Sequence, residues 1–508
     1  MFAACRWSGD IMITFVMVVS YLAITLLLGV LMRRRAGKTT SVRKFFTANG
    51  AMTLFAVTTM LFGDLIAAST TTGTAGTGYS TGVTALWGIW GSSFGCIIFS
   101  TCFCKFFFKI RSTGAMTGPV AFGLRFGEGV RYLVLIFTLI PLFIIFSTQV
   151  TASSMYLSSM LGLDSTLSTV IVFVLFLAMA LLGINGVAEM NKIHSFVIFF
   201  GLSFSAIACV NYVGGGQALI QGLPEGHLDL FVNGVPTAMA QFVGGALGFS
   251  ISTTSIAIAF CSKNEKIAHR SHSIVAAVSA LFAFAPMAIG LCAAVSLDGI
   301  RPDTALYAMT SLVDPRLAGL AVMAVFAAIF STGPWFLLSA AQLVIREIYY
   351  PYIRKREIQT SDKRQLLYSR IVIVAMLIGA VAISGTNVSL LNSLMSAAQI
   401  KAISVVLLLF GIYWKRTTNR AGFFGLLVGG SLCTIWYVLG NPLGIQPLWV
   451  GLIIGSLIIV VGSLIECKQP ISPDYTAFEK RVAKASSDFQ AKQREEQDNQ
   501  SNAEVSAQ

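Results

Sequence analysis

Charged side chains are scarce in this chain of 508 residues, and acidic ones are the scarcest. Asp, Glu, Lys and Arg make up 11% of the sequence, apolar residues make up 55%, and mean hydropathy is +0.77. Soluble globular proteins carry about 25% charged residues. The chain therefore cannot cover a water-facing surface of its size, which excludes a cytosolic enzyme, a nucleic-acid-binding protein and a disordered scaffold. The composition predicts an all-α polytopic membrane protein.

Signatures of enzymatic chemistry are also missing. The nine cysteines form no C-x-x-C pair and the four histidines form no H-E-x-x-H motif, so no metal framework is indicated. The sequence has no G-x-x-x-x-G-K-[ST] loop, and direct use of ATP is therefore not expected. No nucleophile is paired with a base. We expect neither enzymatic activity nor a cofactor, and no nucleic-acid partner.

Long apolar runs dominate the sequence instead. A membrane-spanning helix needs about 20 mostly apolar residues. Thirteen windows of this kind are found, at residues 11–32, 51–76, 83–107, 132–160, 167–188, 193–213, 236–260, 273–296, 317–345, 371–386, 390–412, 421–439 and 447–466. Lys and Arg concentrate in alternate connections, so the positive-inside rule places the N-terminus outside and the C-terminus in the cytoplasm. We expect a multi-pass protein of the plasma membrane, specifically a bacterial inner membrane, with the lipid bilayer as a partner.

Two spans contain runs of small and hydroxyl residues that interrupt the helix pattern. The second span has Gly63 and Asp64 followed by residues 67–73 (AASTTTG), and the seventh has residues 244–250 (GGALGFS) followed by 252–255 (STTS). Small residues also serve close helix packing in any bundle. Matched interruptions five spans apart, however, are typical of transporters built from two inverted repeats, which bind their substrate where the helices unwind. The pattern predicts a 5+5 inverted repeat with two broken helices.

This repeat divides the chain into five predicted regions. A first span and loop (1–50) precede the two repeats (51–213 and 214–412). Two additional spans follow (413–467). A polar segment (468–508) then forms a solvated or partly helical cytoplasmic tail.

Ionisable residues inside apolar spans are expensive and are usually functional. Asp64 lies near the centre of the second span and is a candidate for ion, proton or helix coupling; its alternative role is to cap the broken helix. Lys401 lies early in the eleventh span and is a candidate substrate-binding cation; its alternative is to extend towards the membrane surface. Glu189 and Lys192 fall at the predicted turn between the fifth and sixth spans, where an interface location is favoured.

Three motifs in order resemble the sodium/solute symporter family. Residues 73–82 (GTAGTGYSTG) are similar to the family's small-residue run ending in G-x-G-Y. Residues 327–332 (AAIFST), followed by 346–349 (REIY), resemble its A-A-I-x-S-[ST] and [RD]-[DE]-I-Y signature. Residues 410–417 (FGIYWKRT) resemble its L-G-[LI]-[FY]-W-K-R-T segment. The likeness covers most of residues 12–465 and implies the leucine-transporter-type inverted-repeat fold.

The resemblance also implies a sodium site. The family's shared site uses carbonyls at the break of the first core helix together with a carbonyl and two hydroxyls on the eighth core helix. In this sequence those positions are Gly63, Ile66, Ala328, Ser331 and Thr332. The residues alone also allow the simpler reading in which the two hydroxyls bond back to their own helix.

The sequence departs from the family at two places. An acid is often found early in the sixth span, and Lys192 is interpreted as standing in its place, which weakens a second sodium site. Lys192 could instead face Asp64, so coupling to H⁺ or to a fixed lysine charge is an alternative to Na⁺. Gly333 and Pro334 follow the hydroxyl pair, and we expect the proline to kink the ninth span.

The polar residues near the two breaks are the candidate substrate-binding residues: Ser69, Thr70, Thr253 and Thr254, with Lys401 as the cation. Hydroxyls and the N-termini of half-helices favour a small carboxylate-bearing solute, whereas apolar residues such as Ile89 disfavour sugar. The sequence thus predicts a secondary active transporter that couples a cation, Na⁺ in the first place, to symport of a small organic solute. The alternatives are an H⁺-coupled or uncoupled carrier using Asp64 and Lys192, and a transporter-like membrane sensor.

Overall fold

The computed structural model describes residues 9–36, 42–161, 164–351, 361–383 and 390–506, and almost all of these residues are helical. Helices in the first half of the chain are α1 (Gly9–Ala36), α2 (Val42–Thr47), α3 (Leu54–Leu65), α4 (Ala68–Thr81), α5 (Leu86–Ile98), α6 (Cys104–Arg111), α7 (Gly118–Phe126), α8 (Glu128–Leu161), α9 (Ser165–Ala180), α10 (Gly183–Tyr212) and α11 (Gly216–Gly222). A π-helical turn (Phe99–Phe103) joins α5 to α6 without a break.

The second half continues with α12 (Val235–Ser250), α13 (Thr253–Cys261), α14 (Glu265–Phe282), α15 (Phe284–Ser296), α16 (Ala305–Val313), α17 (Pro315–Leu343), α18 (Asp362–Ile383), α19 (Leu390–Tyr413), α20 (Asn419–Val438), α21 (Pro447–Glu466) and α22 (Pro473–Ser506). The predicted inner connection 346–370 and the tenth span 371–386 fall partly on residues 352–360 and 384–389, which lie outside the described residues.

Ten helices or runs of consecutive helices within the described ranges are long and apolar enough to cross a membrane, and three shorter apolar helices accompany them. The described part of the chain is thus a polytopic helical membrane protein, as composition predicts. Leu65 and Ala68 bound one gap between half-helices, and Ser250 and Thr253 bound the other. Both predicted breaks are therefore present, each two residues long.

The contacts around the two broken helices follow a two-fold pattern. The half-helix α3 packs on α14, and its counterpart α12 packs on α5. In the same way α4 packs on α15, and its counterpart α13 packs on α6. Exchanging the two halves of the chain exchanges these pairs, which is the relation expected of repeats inserted in opposite directions.

The predicted turn between the fifth and sixth spans is wrong. Glu189 and Lys192 lie inside α10, where their side chains form an ion pair of 2.5 Å at a separation of three residues. The turn comes earlier, before Gly183, whose φ of +73° is favourable only for glycine. Two charged residues close together in the sequence are typical of a loop. At positions i and i+3, however, they are also neighbours on one helix face.

Pro334 lies inside α17, and the helix is continuous from Pro315 to Leu343. This helix is the most enclosed in the described structure, since the residues from Val325 to Ala328 are fully buried. It packs against α10, α1, α8 and α3, so it forms the central wall of the bundle.

The C-terminal tail is helical and docks on the rest of the protein. Phe478 is 3% exposed and lies beneath the guanidinium of Arg125, which also faces Tyr475. Burial lowers the pKa of Arg125 to about 10, and the carboxylate of Asp474 opposes the shift, so the guanidinium stays charged at neutral pH. The tail is therefore a packed element in its first half rather than a solvated extension.

Candidate ion and substrate site

The break in the first broken helix frees two backbone carbonyls. In a regular helix the N–H groups of Ala67 and Ala68 would bond to the carbonyls of Gly63 and Asp64. Instead Ala67 N–H donates to the Thr70 hydroxyl at 2.7 Å, and Ala68 N–H donates to Oε1 of Gln149 at 3.3 Å. The helix N–H groups are satisfied by side chains, so the carbonyl oxygens are available to other partners.

Four of the predicted sodium ligands meet at this point. The Ser331 hydroxyl lies 2.9 Å from the carbonyl oxygen of Gly63 and 2.8 Å from that of Ala328. The Thr332 hydroxyl lies 2.8 Å and 2.9 Å from the same two oxygens. Two hydroxyls and two carbonyls within hydrogen-bond distance form a compact, uncharged oxygen cluster of the kind that coordinates Na⁺ in broken-helix transporters.

Ile66, the fifth predicted ligand, is the residue at which α3 stops. Its φ of −95° and ψ of 78° are non-helical, and its N–H still bonds to the Phe62 carbonyl at 2.9 Å. The carbonyl of Ile66 therefore no longer points along the helix axis.

Gly63 is required for the approach of α3 to α17. A Cβ at this position would come within 2.9 Å of the Ser331 Cβ, so any side chain would push the two helices apart. Asn191 of α10 completes the contact: its Nδ2 donates to the Ser331 carbonyl at 3.1 Å, and its buried Oδ1 has no hydrogen-bond partner within the described part of the chain. The amide therefore fixes the backbone that presents both hydroxyls.

The second break is capped in a similar way. The Ser252 hydroxyl accepts from Ser255 N–H at 3.0 Å, and the Ser255 hydroxyl donates to the Phe249 carbonyl at 3.1 Å. Thr254, on the first turn of α13, accepts a hydrogen bond from the indole Nε1 of Trp335. Trp335 belongs to α17, so this helix contacts both breaks.

A cavity of about 90 Å³ lies between the two breaks. Five of the predicted residues line it: Asp64, Thr70, Thr253, Thr254 and Lys401. Hydroxyl groups of Ser92, Thr138 and Ser252 also line it. Apolar groups from α8, α12 and α17 form most of the remaining wall, mainly Leu142, Phe249 and Phe336. The cavity thus combines apolar walls with a few polar groups, which is typical of a site for a small solute.

The two charged groups of the cavity attract each other without touching. Asp64 and Lys401 are each 8% exposed, and no ion pair within 4.0 Å joins them or links either one to another described residue. Thr254 lies beside Asp64, and Oδ1 of the carboxylate has no hydrogen-bond partner among the described residues. Both charges therefore remain open to a ligand that carries complementary groups.

Two of the predicted residues lie elsewhere. Ser69 is fully buried and does not line the cavity, and its hydroxyl has no hydrogen-bond partner among the residues that the structure describes. The predicted approach of Lys192 to Asp64 is wrong, because the ammonium of Lys192 is held by Glu189 on the same helix. The neighbouring residue, Asn191, is the one that reaches the oxygen cluster, since one residue along a helix turns the side chain by about 100°.

Sequence reasoning missed three residues that shape the site: Gln149, Asn191 and Trp335. Gln149 could have been found, since an amide in the middle of an apolar span needs a partner. Asn191 lies in the short segment between Glu189 and Lys192, whose charges suggest a loop rather than a buried helix. Trp335 has no signal in the sequence, because its hydrogen bond to Thr254 depends entirely on how α17 packs.

Known structures share this fold. A Na⁺-coupled sialic acid symporter, solved in a substrate-bound outward-open state, superposes with a TM-score of 0.74 at 18% identity, over 89% of this chain and 96% of that one. Mhp1, a nucleobase-cation-symport-1 family transporter, superposes with a TM-score of 0.55 at 18% identity, over 86% of this chain and 98% of that one.

Sequence relatives include two proline transporters. The osmoregulated proline transporter OpuE of Bacillus subtilis is 23% identical over 389 residues, which are 72% of this chain and 77% of that protein. The sodium/proline symporter of Escherichia coli is 28% identical over 180 residues, so the match spans about a third of each protein: 35% of this chain and 34% of the relative. The family description that matches residues 45–429 is the sodium:solute symporter family. With both broken helices, the oxygen cluster and the adjacent cavity inside the matched range, the chain belongs to the sodium:solute symporter family.

Proposed function

We propose that this protein is a secondary active transporter that couples the entry of Na⁺ to the symport of a small carboxylate-bearing solute. The oxygen cluster of Gly63, Ala328, Ser331 and Thr332, with Ile66 at its edge, binds the cation. The cavity beside it binds the solute through Lys401, Thr253 and Thr254. One observation supports the proposal above all others: four oxygens from helices distant in sequence meet where α3 unwinds.

The cation and the solute share one helix break, which gives the coupling a physical basis. A cation between α3 and α17 ties the broken helix to the central wall, and the same break exposes Asp64 and Thr70 to the cavity. Binding of Na⁺ would therefore stabilise the helix geometry that the solute needs. Because each ligand favours the same arrangement, each raises the affinity for the other.

The solute is proposed to be an amino acid, with proline as the first candidate. Two relatives are named for proline and one structural neighbour for sialic acid; all of these molecules carry a carboxylate. An ammonium buried in a cavity lined by hydroxyls is a suitable partner for that group. Neutral sugars carry no carboxylate for Lys401, whose charge would then be balanced only by Asp64, beyond ion-pair distance.

We also propose the orientation that the basic residues indicate, with the N-terminus outside and the C-terminus in the cytoplasm of a bacterial inner membrane. Under this orientation α3 and α13 form the cytoplasmic halves of the broken helices. Alternating access would then follow from movement of the broken-helix group (α3–α6 and α12–α15) against the wall that contains α8 and α17.

Uptake of radiolabelled proline into proteoliposomes tests the function. We expect accumulation under an inward Na⁺ gradient and none when K⁺ replaces Na⁺ or when a proton gradient is the only driving force. Accumulation driven by protons alone would contradict Na⁺ coupling and favour the H⁺-coupled alternative.

A thermal-shift screen separates an incorrect substrate from an incorrect function. Ligands that bind the native state stabilise it by about 2.7 kcal/mol at 100 times their Kd. We expect amino acids or small carboxylates to raise the unfolding temperature in Na⁺ and not in K⁺. If another solute gives this Na⁺-dependent shift, the substrate class is wrong but the coupling stands; if no solute does, the proposed site is wrong.

A further inference from the structure

A second cavity, of about 220 Å³, lies on the outer surface of the bundle and away from the oxygen cluster. The helix α3 forms its floor, and α10 and α14 form its walls. The groove is almost entirely apolar and aromatic. Its main lining residues are Phe55, Phe62, Phe196, Phe200, Ile274 and Val278.

The groove is open along the membrane face and closed at its inner end. Phe55, Phe196 and Phe200 are each about half exposed, as expected of side chains that face hydrocarbon. At the far end the rings of Phe62, Phe199 and Phe282 pack together, with centroids 5.7 to 6.5 Å apart. From Phe55 to Phe62 the floor runs about 10 Å along the helix axis, so the groove suits a straight apolar chain.

A basic stripe leads into the open end. The backbone of Met52 bonds to Cys261 and to Lys263, so α3 and α14 begin at the same membrane surface. Near that surface Lys266 and Arg270 are exposed and form no ion pair with any described residue. They precede Ile274 and Val278 at intervals of four residues, which places all four on one face of α14.

The acidic groups near this entrance leave a net positive charge. Glu265 is the acidic residue of the first turn of α14, next to Lys266. On the opposite wall Glu189 is occupied by Lys192, and the two charges cancel. An anion arriving at the groove would therefore be held from the α14 side.

We propose that this groove is a binding site for an anionic phospholipid. One acyl chain lies along α3 between α10 and α14, and the phosphate is held by Lys266 and Arg270. Clusters of basic residues beside membrane helices attract anionic headgroups by roughly 1 kcal/mol per charge, and the apolar groove adds a fixed position for the chain. The lipid would thus contact the outer face of the half-helix whose inner face presents Gly63 to the ion site. The site is independent of which solute is transported.

Native mass spectrometry of the full chain tests the proposal. The protein is released from mixed micelles that contain equal amounts of phosphatidylglycerol and phosphatidylcholine. We expect the wild type to retain phosphatidylglycerol in preference to phosphatidylcholine. In the Lys266→Gln/Arg270→Gln variant this preference should fall by roughly 5-fold for each charge removed. The matched control, Lys363→Gln/Arg364→Gln at the start of α18, removes equal charge from exposed positions and should keep the wild-type preference.

The groove itself is tested by filling it. Ile274→Trp places an indole in the groove and should displace the bound lipid although both basic residues remain. Ile371→Trp, on the exposed face of α18, is the control and should bind lipid normally. Equal unfolding temperatures in phosphatidylcholine alone verify that all variants fold.

Three results would overturn the proposal. The first is equal retention of the two lipids by the wild type. The second is unchanged phosphatidylglycerol binding after loss of Lys266 and Arg270. The third is unchanged binding in Ile274→Trp, which would reduce the site to non-specific attraction at the membrane surface.

Discussion

The hydroxyls of Ser331 and Thr332 illustrate how single residues can have two roles at a break. Each bonds to the Ala328 carbonyl of its own helix and also to the Gly63 carbonyl of α3. The within-helix bond is the ordinary behaviour of Ser and Thr in an apolar helix. The bond to Gly63 is not, because it exists only where a neighbouring helix has lost its own hydrogen bond.

Replacement of Ser331 by alanine tests the cation site directly. Loss of one oxygen ligand, which leaves its partners unsatisfied, should raise the Na⁺ concentration for half-maximal uptake by about 10-fold. Thr332→Ala should act in the same direction. Ser339→Ala is the control, since this buried hydroxyl lies on the same helix and makes no hydrogen bond. The measurement is Na⁺-dependent uptake at saturating solute, and equal Na⁺ dependence in Ser331→Ala and Ser339→Ala would contradict the assignment.

Lys401 is the residue expected to select the charge of the solute. Lys401→Met removes the ammonium that we propose binds the solute carboxylate, and it should weaken solute binding by about 10- to 100-fold, as for other buried charge partners. Lys401→Arg keeps the charge and should lose less. Solute binding is measured by thermal shift in Na⁺, and expression should be little affected. Unchanged uptake kinetics in Lys401→Met would remove this residue from the site.

At the scale of elements, each break depends on side chains that replace the missing helix bonds. The Thr70 hydroxyl accepts from Ala67 N–H at 2.7 Å and donates towards the Leu65 carbonyl at 2.9 Å. Thr70 was predicted as a substrate-binding residue, and it does line the cavity. Its hydroxyl, however, is already occupied in holding the two half-helices.

Thr70→Val should therefore destabilise the break more than it changes solute recognition. Loss of a cap costs about 0.5–2 kcal/mol, so we expect a lower unfolding temperature and weaker stabilisation by Na⁺. Thr77→Val, about two turns further along α4, is the control, because the Thr77 hydroxyl bonds within the helix to the Gly73 carbonyl. A Thr70→Val protein with normal stability and selectively weaker solute binding would show that the hydroxyl serves the solute instead.

A feature of the fold or of the site can be predicted from the sequence only where it has a local pattern of residues. Both breaks were predicted because glycine and hydroxyl residues in an apolar span have a direct physical effect on helix regularity. The partnership of Gly63 with Ser331 spans 268 residues and has no local signal, so it came only through family resemblance. The start of α10 was misplaced because an ion pair within a helix and a charged loop look alike in composition.

At the scale of the whole molecule, the C-terminal helix α22 joins parts that alternating access would separate. Lys109 at the end of α6 pairs with Glu479 at 2.6 Å, and Arg43 of α2 lies 4.9 Å from the ring centre of Phe489. On the other side Arg125 of α7 faces Phe478. The sequence predicts a polar tail because charged and other polar residues together dominate it. The few aromatic residues that dock it are spaced along one helix face.

The Lys109–Glu479 pair is stable at neutral pH. Partial burial raises the pKa of Glu479, but the hydrogen bond and the positive charge of Lys109 lower it by a larger amount. The pKa of Glu479 therefore lies below its usual range. The carboxylate is therefore ionised at neutral pH, and the pair is lost only when acidification brings the pH down through this lowered value.

Release of the tail helix tests whether transport depends on the tail. Phe478→Ala removes a buried ring, a change that costs about 3–5 kcal/mol in a packed core, and Glu479→Gln removes the ion pair. In the double variant we expect the tail to become sensitive to protease while Na⁺-driven uptake continues, because neither the oxygen cluster nor the cavity includes tail residues. Lys480→Ala, an exposed residue on the same helix, is the control and should leave the tail protected. If uptake stops while solute binding persists, transport depends on the docked tail; solute binding without any Na⁺-driven uptake by the wild type would instead favour the sensor alternative.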